Sequence, residues 1–227
     1  MLLGDELLTD EAIAAAIWRI RERTEHEVSA VFARLAADLE AAEASPELAA
    51  LARRCADDEV RHAAHCRRIV DALAPGLPPL SPDRGVVLGP RDASAARRAL
   101  YASVALGCVT ESLSTALLIE MRPHATTPEV SEGLDAILRD EVRHSRLGWA
   151  HLAIEAARGD VSWLAPSIPA MIEAARAAEP TPGGGEPRDL RCYGILGAGD
   201  VARVADAVVE TTILPGLARY GIAGAGR

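Results

Sequence analysis

The chain has 227 residues, 49% apolar and 25% charged, enough for one domain with a substantial core and unlike a disordered or fibrous protein. All 24 basic residues are Arg, and Lys, Asn and Gln do not occur, which excludes a Schiff-base or phosphate-loop lysine and leaves carboxylates, six His, four Cys and hydroxyls as chemical material. The net charge of −9 argues against a nucleic-acid backbone as partner, because phosphate binding needs a basic face.

Forty-five Ala, abundant Leu, Glu and Arg and only seven aromatics predict an all-α protein. The N-terminal stretch Met1 to Glu11 carries Asp5, Glu6, Asp10 and Glu11 without a basic residue, unlike a secretory or transit peptide. No uninterrupted apolar run reaches the ~18 residues of a membrane helix. Cys55, Cys66, Cys108 and Cys192 form no CxxC pair, so neither a zinc ribbon nor a redox motif is expected, and the expected compartment is cytoplasmic.

Start signals divide the chain. Thr9-Asp10-Glu11 opens a first helix to about Ala44, and Ser45-Pro46-Glu47 opens a second to about Ala74, with Pro in the first turn where its missing N–H costs nothing. A Pro/Gly-rich stretch, Pro75 to Pro90, follows. Asp92 opens a third helix to about Met121, and Thr127-Pro128-Glu129 a fourth to about Arg158. Short connections make neighbours antiparallel, whereas the long crossover lets helices two and three run in the same sense. Residues 9–158 therefore read as a four-helix bundle and 159–227 as a helical extension packed on it, with a helix over Ser162 to Ala178, a flexible Pro180 to Pro187 segment, and a last helix from about Asp200 to Tyr220 kinked near Pro215.

An internal repeat carries the chemistry. Ser45 to His62 and Thr127 to His144 are both 18 residues long, share seven identical positions and both end Asp-Glu-Val-Arg-His. A lone ExxH means little, since chance supplies about half a match in a chain of this composition. Two copies inside an identical pentapeptide put Glu59 with His62, and Glu141 with His144, on one face of two helices at matching depth. Helical phase places Glu25 in the apolar stripe of Trp18, Phe32 and Leu35, and Glu111 in that of Val104, Cys108 and Leu118. Glu27 shares a solvated face with Arg34 and Asp38, and Glu22 is the fallback on the first helix.

Four carboxylates aimed at one core need a positive partner, because each unpaired buried charge costs several kcal/mol or more. The stripes offer only Arg21. Two divalent cations would balance Glu25, Glu59, Glu111 and Glu141, with neutral His62 and His144 completing a dinuclear site of two Glu and two Glu-x-x-His. Mixed oxygen and nitrogen donors suit two Fe ions, or a Mn/Fe pair, better than a thiolate metal.

On these six residues, and on the connectivity, the chain resembles the ferritin-like di-iron carboxylate superfamily over about residues 9 to 158. The doubled Asp-Glu-x-Arg-His also resembles that of bacterial multicomponent monooxygenases within it. This resemblance implies that Asp58 and Asp140 orient the ligand His of the opposite helix and that Arg61 and Arg143 pair with those Asp, in line with the general need to fix a metal-bound imidazole. It also points to Thr115, one turn after Glu111, as a catalytic proton-delivery residue; the other reading is a hydroxyl bonded to the carbonyl one turn back.

Departures narrow the choice. No rubredoxin-like Cys cluster follows the bundle, so a standard rubrerythrin is not expected. Cys66 and Gly148 stand where a radical Tyr would be needed one turn after each His, and Ile137 where a third His would precede Glu141. Cys66 and Cys108 read as small core hydrophobes, although both are near enough to line the site. His151 reads as a surface or supporting His or as a proton shuttle, and His26 and His65 as peripheral.

The functional expectation is a di-iron oxidase or oxygenase that uses O2, a small-molecule organic substrate and an external electron donor. The alternative is a ferroxidase or a peroxide reductase without an organic substrate. Homodimerisation stays open, as do substrate, donor and the role of the C-terminal extension.

Overall fold

The computed structural model describes residues 9–83, 85–183 and 188–222. Asp5 and Glu6 of the acidic N-terminal stretch, and residues 184–187 of the segment expected to be flexible, lie outside these residues.

Helix α1 (Asp10–Ala41) starts where Thr9 accepts a hydrogen bond from the Ala12 N–H at 3.2 Å, and α2 (Pro46–Leu73) starts at its expected proline. α3 begins at Ala95 rather than Asp92, because Ser94 supplies the cap, accepting from the Arg97 N–H. It then runs through Ala95–Ala102, a π-helical stretch Ser103–Thr110 and Glu111–Met121. α4 (Pro128–Arg158) is continuous. The expected fifth helix divides into a 3₁₀ stretch, Ser162–Ser167, and α5 (Ile168–Ala178), with Pro166 and Pro169 removing two N–H donors near the junction. The last helix begins at Ala198: α6 (Ala198–Val208) passes through a π-helical Val209–Ile213 into α7 (Leu214–Ala218). The π turn sits directly before Pro215, which cannot donate to the carbonyl one turn back.

Cross-helix contacts set the directions. Arg53 pairs with Glu40 and Arg67 with Glu22, making α1 and α2 antiparallel; Ser103 meets His151, and Ser112 meets Ser145, making α3 and α4 antiparallel. Asp58 pairs with Arg143, and Gly133 faces Ile69, so α2 and α4 are antiparallel as well. It follows that α2 and α3 run in the same sense, joined by the long crossover. The protein is an all-α four-helix bundle with additional C-terminal helices, and no strand occurs among the described residues.

On α1 and α2 the apolar core divides around a polar belt. Trp18, Cys66 and Ile69 belong to one cluster and Phe32, Leu35, Ala52 and Cys55 to the other, with Glu25, Glu59 and His62 between. Leu164, Ile168 and Met171, with Val201, Val204 and Leu217, join the first cluster together with Cys108, Leu113 and Leu117 of α3. These helices cover α3 on the side a bare bundle would expose, so every residue of Ser103–Val109 is buried. By length and composition the helix over Ala95–His124 could cross a membrane, but its most apolar window is 72% buried, as in a core helix.

Candidate metal centre

Each long helix brings one carboxylate to the polar belt, and α2 and α4 add an imidazole one turn later. Among the described residues, donor atoms of Glu59, Glu111, Glu141 and His144 lie within 4.8 Å of one another, and so do those of Glu25, Glu59 and His62. All six residues singled out from the sequence therefore meet, with Glu59 common to both groups. Glu22, the fallback, is buried but bonded to Arg67 at 3.2 Å and belongs to neither group; Glu27 faces outward, accepting from the Asp83 N–H.

Both imidazoles turn Nδ1 inward. His62 Nδ1 lies 3.2 Å from Glu59 Oε2 and 3.6 Å from Glu141 Oε1, while His144 Nδ1 lies 2.9 Å from Glu59 Oε1 and 3.5 Å from Glu141 Oε2. Glu59 and Glu141 thus each divide their two oxygens between the two imidazoles, leaving Glu25 and Glu111 at opposite flanks. The ring centroids are 5.5 Å apart, and Phe32 packs edge-on to His144.

The outward nitrogens face carboxylates of the opposite helix. His144 Nε2 donates to Asp58 Oδ2 at 3.2 Å, and His62 Nε2 lies 3.5 Å from Asp140 Oδ2. Arg143 donates to Asp58 at 2.6 Å and to Asp140 at 2.9 Å; Arg61 bonds Asp58 and reaches Asp140 at 3.5 Å. Asp58 is fully buried, so these Arg contacts neutralise a charge that water cannot reach.

Burial raises Glu25 and Glu111 well above the usual carboxylate range, reinforced by Glu59 at Glu25 and by Glu141 at Glu111. Burial opposes charge on Glu59 too, but the His144 and His62 imidazoles and the Glu25 carboxyl beside it outweigh it and hold its carboxyl low. Desolvation likewise opposes charge on His144, yet Glu141 and Glu59 push it up to about 12. Without cations the cluster thus holds protons where cations would sit. The inward Glu141 Oε2 and His144 Nδ1 are buried without a well-formed hydrogen bond, as is the outward His62 Nε2, which a dry polar cluster does not tolerate cheaply. A hard-oxygen and imidazole donor set with unmet inward atoms fits metal binding.

Arg21, the one positive charge on the stripes, is engaged elsewhere: its Nη2 donates to Glu179 and approaches Met121 Sδ at 3.6 Å, and its guanidinium lies 5.2 Å from the Trp18 ring centroid. A cavity of about 80 Å3 borders Glu25, Glu59, Glu111 and Glu141, and its wall is completed by Arg21, Thr110, Ala175, Glu179 and Pro180. Thr115 does not line it; its hydroxyl donates to the Glu111 carbonyl at 2.7 Å, the back-bonded arrangement. Cys66 and Cys108 are fully buried, and burial pushes both thiols up, which suits inert core residues. His151 is neither at the surface nor in the cluster: it is buried and bonded to Ser103 at 2.8 Å. His26 and His65 lie outside both donor groups.

Sequence reasoning missed Glu179. Its signal was the pair Glu179-Pro180, since proline drives the preceding residue into extended backbone, here φ −75° and ψ 115°, and ends α5 there.

A model of the family described as rubrerythrin matches residues 13–149, which takes in α2 and α3, most of α1 and α4, and all six cluster residues. No curated protein and no solved structure matched. The match stands although no Cys cluster follows the bundle, the absence that argued against a standard rubrerythrin; Cys192 is the only Cys beyond the matched stretch.

Proposed function

The chain belongs to the rubrerythrin family, and on that premise we propose that it is a di-iron oxidoreductase whose oxidant is a molecule as small as hydrogen peroxide or O2. Glu25, Glu59 and His62 would hold one iron and Glu111, Glu141 and His144 the other, with Glu59 within reach of both; a Mn/Fe pair would use the same donors. The observation that carries the choice of oxidant is the size of the cavity against the four glutamates. At about 80 Å3 and only partly enclosed, it gives a small oxidant a direct approach to all four carboxylates.

Bound iron would supply two electrons, which with two protons convert peroxide to two waters as the O–O bond breaks; an external donor then restores them. The chain's own residues do the rest. Asp58 orients the His144 imidazole through Nε2, Glu25 and Glu111 both border the cavity, and Val28, Leu113 and Leu117 give it apolar wall.

A second reading, oxygenation of a small organic substrate, draws on that same apolar lining. Anaerobic Fe(II) titration followed by one equivalent of peroxide separates the readings. The expected result is saturation at about two irons per chain and one peroxide consumed per iron pair. Less than about one metal per chain would defeat the dinuclear assignment, and a large particle accumulating many irons would defeat the enzyme reading in favour of storage. An organic product formed with O2 would favour the second reading.

A further inference from the structure

We propose that the Arg21–Glu179 pair sets the size limit on the oxidant, excluding organic hydroperoxides from the cavity while admitting hydrogen peroxide. This rests on the reading above and deepens it. Arg21 comes from α1, one turn before Glu25, whereas Glu179 comes from the residue that ends α5, outside the bundle and beyond the stretch matched by the family. Their ion pair therefore ties the C-terminal extension across the cavity beside the glutamates.

The pair is built to stay closed. Each side chain is only 12% exposed, so separating them would leave two charges with little water to receive them. Arg21 is held on three sides, by Glu179, by Met121 Sδ and by the Trp18 ring, whose own Nε1 donates to the Tyr193 carbonyl at 2.8 Å. Glu179 is held by Pro180, which fixes the backbone that aims it. Ala175, Ala178 and Pro180, in the same stretch, form the adjoining wall. Five carboxylates and Arg21 line the cavity; two divalent cations balance four of the carboxylates and Arg21 the fifth, leaving a neutral chamber suited to a neutral oxidant. Arg21 and Glu179 form the part of the wall that a phenyl-bearing hydroperoxide would have to displace to reach the glutamates.

The test is single-turnover oxidation, without oxygen, of the Fe(II)-loaded full chain by hydrogen peroxide or by cumene hydroperoxide. In each reaction two electrons from the iron pair and two protons cleave the O–O bond, giving two waters in the first case and an alcohol plus water in the second. Glu179→Ala is expected to lower the preference for hydrogen peroxide by about tenfold or more, while Glu179→Gln, nearly isosteric, keeps it within about threefold. Iron removal by an external chelator should accelerate about tenfold in Glu179→Ala alone. If both the preference and the chelator rate of Glu179→Ala stay within about twofold of wild type with two irons bound, the proposal is overturned. If the loaded wild type reacts with neither peroxide, the functional reading fails, and the chelator rates by themselves decide whether the pair closes the cavity.

Discussion

Asp58 on α2 accepts a 3.2 Å hydrogen bond from His144 Nε2 on α4, across the bundle from its own motif's histidine. The reciprocal contact, Asp140 to His62, is longer at 3.5 Å and leaves His62 Nε2 without a hydrogen bond. The two halves of the repeat are thus exchanged between helices, and they are not equivalent.

Asp58→Asn should therefore weaken metal affinity by about 10- to 100-fold, and Asp140→Asn by less, since only the former removes an established carboxylate–imidazole bond. Competition against a chromogenic chelator measures both. Equal losses would contradict the asymmetry.

Glu59 belongs to both donor groups and Glu25 to only one. Glu59→Ala should abolish dinuclear loading, whereas Glu25→Ala should retain about one metal per chain in the group around Glu111, Glu141 and His144. Metal analysis after anaerobic loading gives the answer directly, and two metals retained in Glu59→Ala would refute the ligand assignment.

The metal-free chain should lose stability as pH rises. Glu25, Glu111 and His144 all have folded pKa values raised above their ordinary ones, so their contribution is complete below the unfolded values and is lost as pH climbs toward the folded ones. Cations displace those protons and remove the penalty. The gap in Tm between loaded and metal-free protein should widen from about pH 5 to about pH 8, and loading should release protons. A gap that narrows over that range would show that protons and metal do not compete here.

Gly148 on α4 sits where a Cβ would meet the Ser103 carbonyl oxygen at 2.5 Å and the Cys108 nitrogen at 2.6 Å, both backbone atoms of α3's π-helical stretch. Gly148→Ala should force the two helices apart at a cost of about 1–3 kcal/mol by urea denaturation, and weaken loading by displacing Glu111. Gly159→Ala, which meets nothing within 4 Å, is the control and should stay within about 0.5 kcal/mol of wild type.

Leu164 is fully buried in the cluster that joins the C-terminal helices to α3. Leu164→Ala should cost about 2–5 kcal/mol and lower the single melting transition of the whole chain. A separate, early transition with the bundle unaffected would mean that the extension folds on its own.

The duplicated Asp-Glu-Val-Arg-His block, the helix-start signals at Thr9, Ser45-Pro46 and Thr127-Pro128, and the long crossover were enough to place four helices and to identify the six residues that the fold brings together. Local rules suffice there because a 3.6-residue period and a three-residue Glu-to-His spacing already put those groups on one face of their own helix. Tertiary structure alone decided that Asp58 bonds the opposite helix's histidine while Asp140 falls short of it, which of its two readings Thr115 takes, and that Arg21 leaves the glutamates for Glu179. It also decided the π-helical stretch before Glu111, where Gly107 and Gly148 let the backbones of α3 and α4 nearly touch. Each of these depends on which surface faces which across the bundle, and partners as far apart as Arg21 and Glu179 share no periodicity that a linear reading can detect.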